Sequence, residues 1–209
     1  MKNVLVMISG SGTNLQALID ASKSGSLPIK VFHVISSSST AYGLQRAANA
    51  NIPTTVHELQ TYYKDLTDKD KRKAARKQFN IDLGNIIVNL KPDLIVCAGW
   101  MLILSPSFLD IISEKNIPII NLHPALPGQF DGINAIERAY NAAKNGEIQK
   151  SGVMIHQVIK EVDRGTPLVV KEVPILPDDT LESFESRIHS VEHEAIVEGV
   201  RLAISTLCT

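Results

Sequence analysis

The sequence has few of the residues that build disulfide, metal or nucleic-acid sites. Only two of its 209 residues are cysteines, Cys97 and Cys208, too few and too far apart for a disulfide framework or a cysteine metal site. A net charge of −1 gives no overall positive field for nucleic acid. No apolar run approaches the roughly 20 residues that span a bilayer. These absences favour a cytoplasmic protein with neither a membrane nor a nucleic-acid partner.

Apolar runs that alternate with helical patterns predict the fold. The amino-terminal MKNVLVMISG has an apolar run too short for a signal peptide, and we interpret it as the first strand. Further strands are predicted at 30–36, in TTVHEL, at 93–99 and at 117–123, with helices from about 15 to 25, 42 to 51 and 68 to 90, and from about 106. This order predicts an α/β fold with a doubly wound, mainly parallel open sheet.

The pattern changes after residue 150. The apolar runs 151–159 and 167–175 are joined by a short connection, which predicts a carboxyl-terminal antiparallel hairpin. A closing helix is indicated by apolar residues that recur every three or four positions, with capping residues at 178–180. Residues 1–209 are expected to form a single domain. Cys97, inside LIVCAG, is expected to be a small core residue.

The loop SGSGTN at 9–14 joins the first predicted strand to the first helix. Open α/β sheets bind ligands at such a place, and Gly10 and Gly12 let backbone N–H groups approach an anion. Thr13 and Asn14 add side-chain donors. The third glycine of a dinucleotide fingerprint is Leu15 here, and no glycine-lysine-serine/threonine of an ATP-type loop follows. The loop therefore predicts a single-phosphate site; the alternative is a tight turn with no ligand.

A polar pair ends the strand at 117–123. Asn121 and His123 are two residues apart and therefore share one face of the strand, and Pro124 stops it. An amide beside an imidazole suits a carbonyl that becomes an oxyanion, and a protonated imidazole can deliver a proton. Such a histidine needs a carboxylate to hold its charge; Asp131, Glu161 and Asp163 are the candidates, of which Asp163 in EVDRGTP is the best placed. The alternative is a hydrogen-bonded structural histidine.

Two other charged or metal-ligating patterns have simpler interpretations. The run DKDKRKAARK at 68–77 is typical of a solvated helix face, with a partial landing site for an anionic ligand as the alternative. His189 and His193 lie at i, i+4, but without a third ligand at a recognisable spacing they are interpreted as surface or packing residues. No metal site is predicted.

Four segments together resemble one enzyme family. ISGSGTNLQALID, AGWMLILSP, NLHPALPG and EVDRGTPLV are similar in order and spacing to the glycinamide ribonucleotide formyltransferases, and NLHPALPGQFDG and ISSSSTAYGL resemble the stand-alone fungal form. The resemblance implies the formyltransferase fold and transfer of a formyl group from the co-substrate 10-formyltetrahydrofolate to the amine of glycinamide ribonucleotide, a purine-synthesis step without a metal. It implies a phosphate-binding half at 1–100 and a folate-binding and catalytic half at 101–209.

The resemblance also implies roles for individual residues. Asn121, His123 and Asp163 match the catalytic set. The residues that match the site for the substrate phosphate and ribose are Gly12, Thr13, Asn14, His189 and Glu192. The residues that match the folate site are Arg76, Met101, Leu102, Ile103, Leu104, Asn121, Ile159, Lys160, Glu161 and Val162.

Two related enzymes and one other class compete with this assignment. A 10-formyltetrahydrofolate deformylase uses the same Asn-His-Asp set with water as acceptor, but resembles this domain plus a regulatory module. Methionyl-tRNA formyltransferases add a tRNA-binding domain, and the overall charge does not suit tRNA. A non-catalytic nucleotide-binding module needs the glycine loop but has no use for Asn121, His123 and Asp163 together. The oligomeric state is not predicted.

Overall fold

The computed structural model describes residues 1–206 as a seven-stranded sheet with helices on both faces. The strands are β1 (Lys2–Ile8), β2 (Ile29–Ser36), β3 (Thr54–Val56), β4 (Leu94–Cys97), β5 (Ile119–His123), β6 (Lys150–Gln157) and β7 (Pro167–Pro174). The helices are α1 (Thr13–Lys23), α2 (Gly43–Asn49), α3 (Leu59–Tyr63), α4 (Lys69–Leu90), α5 (Pro106–Ser113), α6 (Ala135–Lys144) and α7 (Leu181–Thr206). None of these helices is long and apolar enough to cross a membrane. Cys208 lies outside the described residues.

The strand order is β3-β2-β1-β4-β5-β6-β7. Strands β1 to β5 pair in parallel, whereas β6 is antiparallel to β5 and β7 is antiparallel to β6. The predicted parallel sheet, hairpin and closing helix are therefore confirmed. The order reverses between β1 and β4, and open α/β sheets bind ligands in the crevice at such a switch point.

The side chains of the central strand β1 pack alternately on the two faces of the sheet. Residues 4–8 are completely buried, as expected of a strand with helices on both sides. Alternation sends Val4, Val6 and Ile8 into one core cluster with residues of α1 and α7. Leu5 and Met7 enter the other cluster with residues of α4 and α5. This double burial fixes the end of β1, from which the glycine loop departs.

Three details differ from the sequence-based expectation. The third strand has three residues, and helices α3 and α6 were not expected. Helix α6 follows Asn134, which has a left-handed backbone (φ 56°) and makes no side-chain cap, so the usual start signal of a helix is missing. Strand β6 ends at Gln157, before the predicted end of its apolar run at residue 159, and the connection to β7 is therefore the longer loop 158–166.

Helix α7 begins at a reciprocal cap. The Thr180 hydroxyl accepts a hydrogen bond from the Ser183 N–H (3.1 Å), and the Thr180 N–H donates to the Ser183 hydroxyl (3.1 Å). Arg187 makes two 2.7 Å bonds to Asp179, and these bonds hold the pKa of Asp179 far below its usual range. The capping role expected in this segment is thus confirmed for Thr180. The cap fixes the start of the helix that carries His189 and Glu192.

Candidate active site

A cleft of about 310 Å³ lies at the carboxyl ends of β1, β4 and β5. Its walls are the glycine loop, the segment after β4, the end of β5, the start of α6, the loop 158–163 and two side chains of α7. Every sequence-predicted site residue except Arg76 lines it. A second cavity of about 430 Å³ between α5 and the β5–β6 edge shares residues 158–160 with the cleft but includes neither the glycine loop nor the Asn-His-Asp set.

The glycine loop leaves backbone N–H groups at the start of α1 available for a ligand. Gly12 caps the helix with φ 70°, and a Cβ at this position would lie 2.6 Å from the Cα of Gly43. Only glycine tolerates both this backbone region and this approach. Because Gly12 brings no capping side chain, the first N–H groups of the eleven-residue helix are free to face an anion.

The segment after β4 is fastened to the glycine loop and to α4. The Met101 N–H donates to the Ser9 hydroxyl (2.9 Å). The Ser105 N–H donates to the Asn80 side-chain oxygen (2.9 Å), and the Asn80 amide in turn donates to the Arg76 carbonyl (2.9 Å). These contacts fix the main chain on both sides of residues 102–104, so their backbone groups form a rigid wall of the cleft.

Exposed apolar side chains surround the mouth of the cleft: Met101, Ile103, Ile133, Ile159 and Val162. A concentration of exposed apolar groups around one opening marks a ligand or interaction site.

Arg76 belongs to α4 and does not line the cleft. The residues before it, 68–74, are exposed, as expected of a solvated helix face.

Asp163 lies at the centre of the polar site. It occupies a left-handed position (φ 56°) in the loop 158–166, and its side chain is only 8% exposed. Its Oδ2 accepts a 2.8 Å bond from the Gly132 N–H and lies 3.4 Å from His123 Nδ1. Its Oδ1 lies 3.3 Å from Asn121 Nδ2 and 3.4 Å from His156 Nε2. The structure therefore brings Asn121, His123 and Asp163 together, with a second histidine.

The surroundings of Asp163 keep it ionised. Burial raises the pKa of this carboxyl, but the bonds from His156 and from the Gly132 N–H, with the charges of His123 and His156, outweigh burial and lower the pKa below 3.8. A buried carboxylate that stays charged stabilises cationic neighbours.

His123 has a hydrogen-bond acceptor at each ring nitrogen. Nδ1 faces the Asp163 carboxylate (3.4 Å) and Nε2 faces the Gln129 carbonyl (3.3 Å), and the residue is buried. Neither partner can donate, so only an imidazole that carries a proton on both nitrogens satisfies both contacts. The site is thus arranged for the imidazolium form.

The Asn121 amide retains one hydrogen for a ligand. Its Nδ2 lies 3.1 Å from His156 Nε2 and 3.3 Å from Asp163 Oδ1, and those two atoms are 3.4 Å apart. Because His156 Nε2 donates to the same carboxylate, it cannot also accept an amide hydrogen. Asn121 therefore gives one N–H to Asp163 Oδ1, and its other N–H is available to a ligand.

His156 was not among the predicted site residues. It lies directly opposite Asn121 in the β5–β6 pairing, and its Nδ1 contacts the Gln157 carbonyl (2.8 Å). In the sequence, His156 is recognisable only as a histidine inside the apolar run SGVMIHQVI. Its place in the site could be predicted only from the register of the β5–β6 pair.

A second polar group lies at the glycine-loop end of the cleft. Asn14 Nδ2 and His189 Nδ1 both lie 3.0 Å from Glu192 Oε2. The bond to Glu192 raises the pKa of His189 above 6.5, against the opposing effect of burial. Asn14 Oδ1 is buried without a protein hydrogen-bond partner among the described residues. An acceptor of this kind suits a ligand hydroxyl or amine.

Neither metal nor thiol chemistry is indicated by the side chains. Within residues 1–206, no three His, Cys, Asp or Glu side chains are grouped to hold a metal ion. Cys97 is a buried core residue, as predicted, and burial raises the pKa of its thiol to about 12. It is therefore protonated and unsuited to act as a nucleophile.

Sequence and structure comparisons point to one family. Residues 2–200 match the family model described as formyl transferase. The chain is similar to the phosphoribosylglycinamide formyltransferases of Schizosaccharomyces pombe (48% identical, 97% of each chain covered) and Saccharomyces cerevisiae (50% identical, 99% of each). Its fold is similar to the crystal structure of glycinamide ribonucleotide transformylase 1 from Symbiobacterium toebii, with a TM-score of 0.83 and 31% identity over 99% of this chain and 89% of the other.

Proposed function

The chain belongs to the formyl transferase family, and from that premise we propose that it transfers the formyl group of 10-formyltetrahydrofolate to the primary amine of glycinamide ribonucleotide, a step of purine synthesis. Relatives about 50% identical are named phosphoribosylglycinamide formyltransferase. The observation that carries the proposal is the meeting of Asn121, His123 and Asp163 in the cleft that also contains the glycine loop. The chain is on this account a transferase.

We propose that the reaction proceeds by direct attack. The amine nitrogen forms a bond to the formyl carbon, and the carbonyl π electrons move to oxygen. The free N–H of Asn121 and the protonated His123 donate to this oxyanion, with His123 Nε2 exchanging its 3.3 Å contact to the Gln129 carbonyl. Removing one such donor typically costs ~10²–10³ in rate. When the oxyanion collapses, the bond between the formyl carbon and the folate nitrogen breaks.

Two proton movements complete the balance. The attacking amine loses one proton, and the departing folate nitrogen gains one. On this proposal His123 donates a hydrogen bond to the reacting oxygen and keeps its own proton, with its charge balanced by the Asp163 carboxylate 3.4 Å from Nδ1. A water held by Asp163 is our proposed relay between the two nitrogens. No covalent enzyme intermediate is needed.

The polar groups of the cleft suggest how each substrate lies. We propose that the phosphate binds the backbone at Gly12, Thr13 and Asn14, and that the ribose and amine side faces the Asn14–Glu192–His189 group. The folate ring system is proposed to bind the main chain of residues 101–104 and the loop 159–162. Arg76 is outside the cleft wall, so its predicted contact concerns a part of folate that extends beyond the cleft.

The experiment that tests the proposal is an initial-rate assay of formyl transfer. Purified protein is mixed with 10-formyltetrahydrofolate, with and without glycinamide ribonucleotide, and both formylated amine and free tetrahydrofolate are measured. We expect tetrahydrofolate to appear only with the amine, in a 1:1 ratio to the formylated product. Equal release without the amine would identify the deformylase alternative, which the names of the relatives do not favour. Tight nucleotide binding without turnover would identify the binding module.

We further expect the enzyme to work in the cytoplasm, as the low cysteine content favours, and to act on these two small molecules without a nucleic-acid partner, as the near-neutral charge favours.

A further inference from the structure

We propose that the ion pair between Asp131 and Arg164, which lies outside the substrate cleft, is a positioning device for the catalytic carboxylate of Asp163. The inference rests on the proposed function, because it concerns the rate of that reaction. Neither residue lines the cleft, so neither is expected to touch a substrate. Any effect of the pair on the chemical step must pass through the residues beside it.

The two members of the pair are chain neighbours of two groups that already meet in the site. Arg164 Nε and Nη2 lie 2.7 and 2.6 Å from Asp131 Oδ2. The next residue after Asp131 is Gly132, whose N–H donates to Asp163 Oδ2 at 2.8 Å, and Asp163 immediately precedes Arg164. Asp131 and Gly132 of one loop are thus bonded to Arg164 and Asp163 of the other. The ion pair restrains the Gly132 N–H relative to the carboxylate it serves.

The loop that contains Asp131 also contacts the catalytic histidine. The Gln129 carbonyl lies 3.3 Å from His123 Nε2, and Arg138 of α6 donates to the Asp131 carbonyl at 2.8 Å. Residues 129–132 therefore contact both ends of the His123–Asp163 pair. A shift of this loop would change the orientation of both catalytic side chains, and misplacement of a catalytic group by about 1 Å can cost ~10²-fold in rate.

Removing Arg164 leaves the partly buried Asp131 carboxylate without its cation. The second oxygen of Asp131, Oδ1, is buried and has no hydrogen-bond partner among the described residues. The negative charge of Asp131 is therefore balanced by the contacts of Arg164 to Oδ2. A carboxylate that loses its cation moves toward water, and this movement draws Gly132 away from Asp163. The Arg164 and Asp131 side chains are 54% and 30% exposed, and pairs of such exposure contribute little to global stability. The expected consequence is therefore local.

The test compares Arg164→Met, Asp131→Asn and the double variant by steady-state formyl transfer. We expect kcat to fall about 10-fold in each single variant, which is less than the ~10²-fold loss for a catalytic group misplaced by about 1 Å. The double variant should lose no more than either single variant, because both substitutions remove the same ion pair. KM for both substrates should stay within about 3-fold. The acid limb of the kcat/KM profile should move to higher pH, because the Gly132 bond is one of the interactions that lower the pKa of Asp163.

The matched control is Lys150→Met, which breaks an ion pair to Glu172 of similar length (2.6 Å) in the β6–β7 hairpin, where the cation is as exposed as Arg164 and the carboxylate is more exposed than Asp131. It should leave kcat and the pH profile unchanged. Arg164→Lys, which keeps the charge but not the two-nitrogen contact, should fall between wild type and Arg164→Met. Wild-type kcat and pH profile in both single variants would overturn the positioning role, as would independent, multiplicative losses in the double variant. Absence of transfer by the wild-type protein would instead refute the proposed function, and the positioning role with it.

Discussion

Replacing Asp163 by asparagine removes one negative charge with almost no change in shape. The wild-type carboxylate contacts His123, His156, Asn121 and the Gly132 N–H at 2.8 to 3.4 Å. The asparagine oxygen can keep the Gly132 bond, but its NH₂ group then faces the Asn121 amide, which is also a donor. The variant therefore loses the charge that stabilises the imidazolium and weakens the alignment of Asn121.

The size of the effect follows from the distance between the charges. Two unit charges 3.4 Å apart interact by about 5 kcal/mol at an effective dielectric constant of about 20. The asparagine dipole retains part of this interaction, so we expect a loss of about 3–4 kcal/mol in transition-state stabilisation. This corresponds to a fall in kcat of ~10²–10³, since 1.36 kcal/mol is a factor of ten.

The assay is steady-state formyl transfer at pH 7 with both substrates varied, beside a thermal unfolding curve. The substitution should lower kcat and change KM for either substrate by less than about 3-fold, because Asp163 acts on the reacting centre. A kcat within about 3-fold of wild type, in a folded variant, would refute the electrostatic coupling between Asp163 and His123.

Three further predictions concern the stability effects of Gly12, Asp163 and His189. Gly12→Ala places a side chain at a positive φ and 2.6 Å from the Cα of Gly43. We expect about 2–3 kcal/mol of strain and a fall in Tm of roughly 4–12 °C. Gly25→Ala has a similar φ in open space and should cost less than half as much; equal losses would contradict the packing argument. The lowered pKa of Asp163 contributes stability above pH ~3.9, lost as pH falls through the lowered value, so acid unfolding of Asp163→Asn should show a shallower pH dependence than wild type. The raised pKa of His189 contributes stability below pH 6.5 that is lost as pH rises through the raised value. The advantage of wild type over His189→Gln in urea unfolding should therefore shrink between pH 6 and 8, and a constant difference would exclude the Glu192 pairing as its cause.

The sequence was sufficient to predict the sheet and the polar end of β5. The apolar run at residues 3–9 is typical of a strand buried on both faces, and β1 has that position. The spacing of Asn121 and His123 requires one shared face, and the structure places both in the cleft. These predictions succeeded because they depend on local periodicity, which the fold does not override.

The contacts around Asp163 were less accessible from sequence. His156 joins the site only because β6 pairs with β5 in the register that puts it opposite Asn121, and a one-residue slip would turn it to the other face. The Gly132 N–H and the Gln129 carbonyl are backbone groups of a loop with positive φ at Phe130 and Asn134. Such contacts depend on long-range loop conformation and have no side-chain signature.

The central claim is that Asn121, His123 and Asp163 act together on one formyl carbonyl, and the most direct measurement is kcat for formyl transfer by His123→Ala. We predict a fall of at least ~10², with a Tm close to wild type, because the substitution removes an oxyanion donor. His33→Ala, which removes a histidine whose contact is to Thr55 on the edge of the sheet, is the control and should keep wild-type kcat. Wild-type turnover by folded His123→Ala would contradict the account.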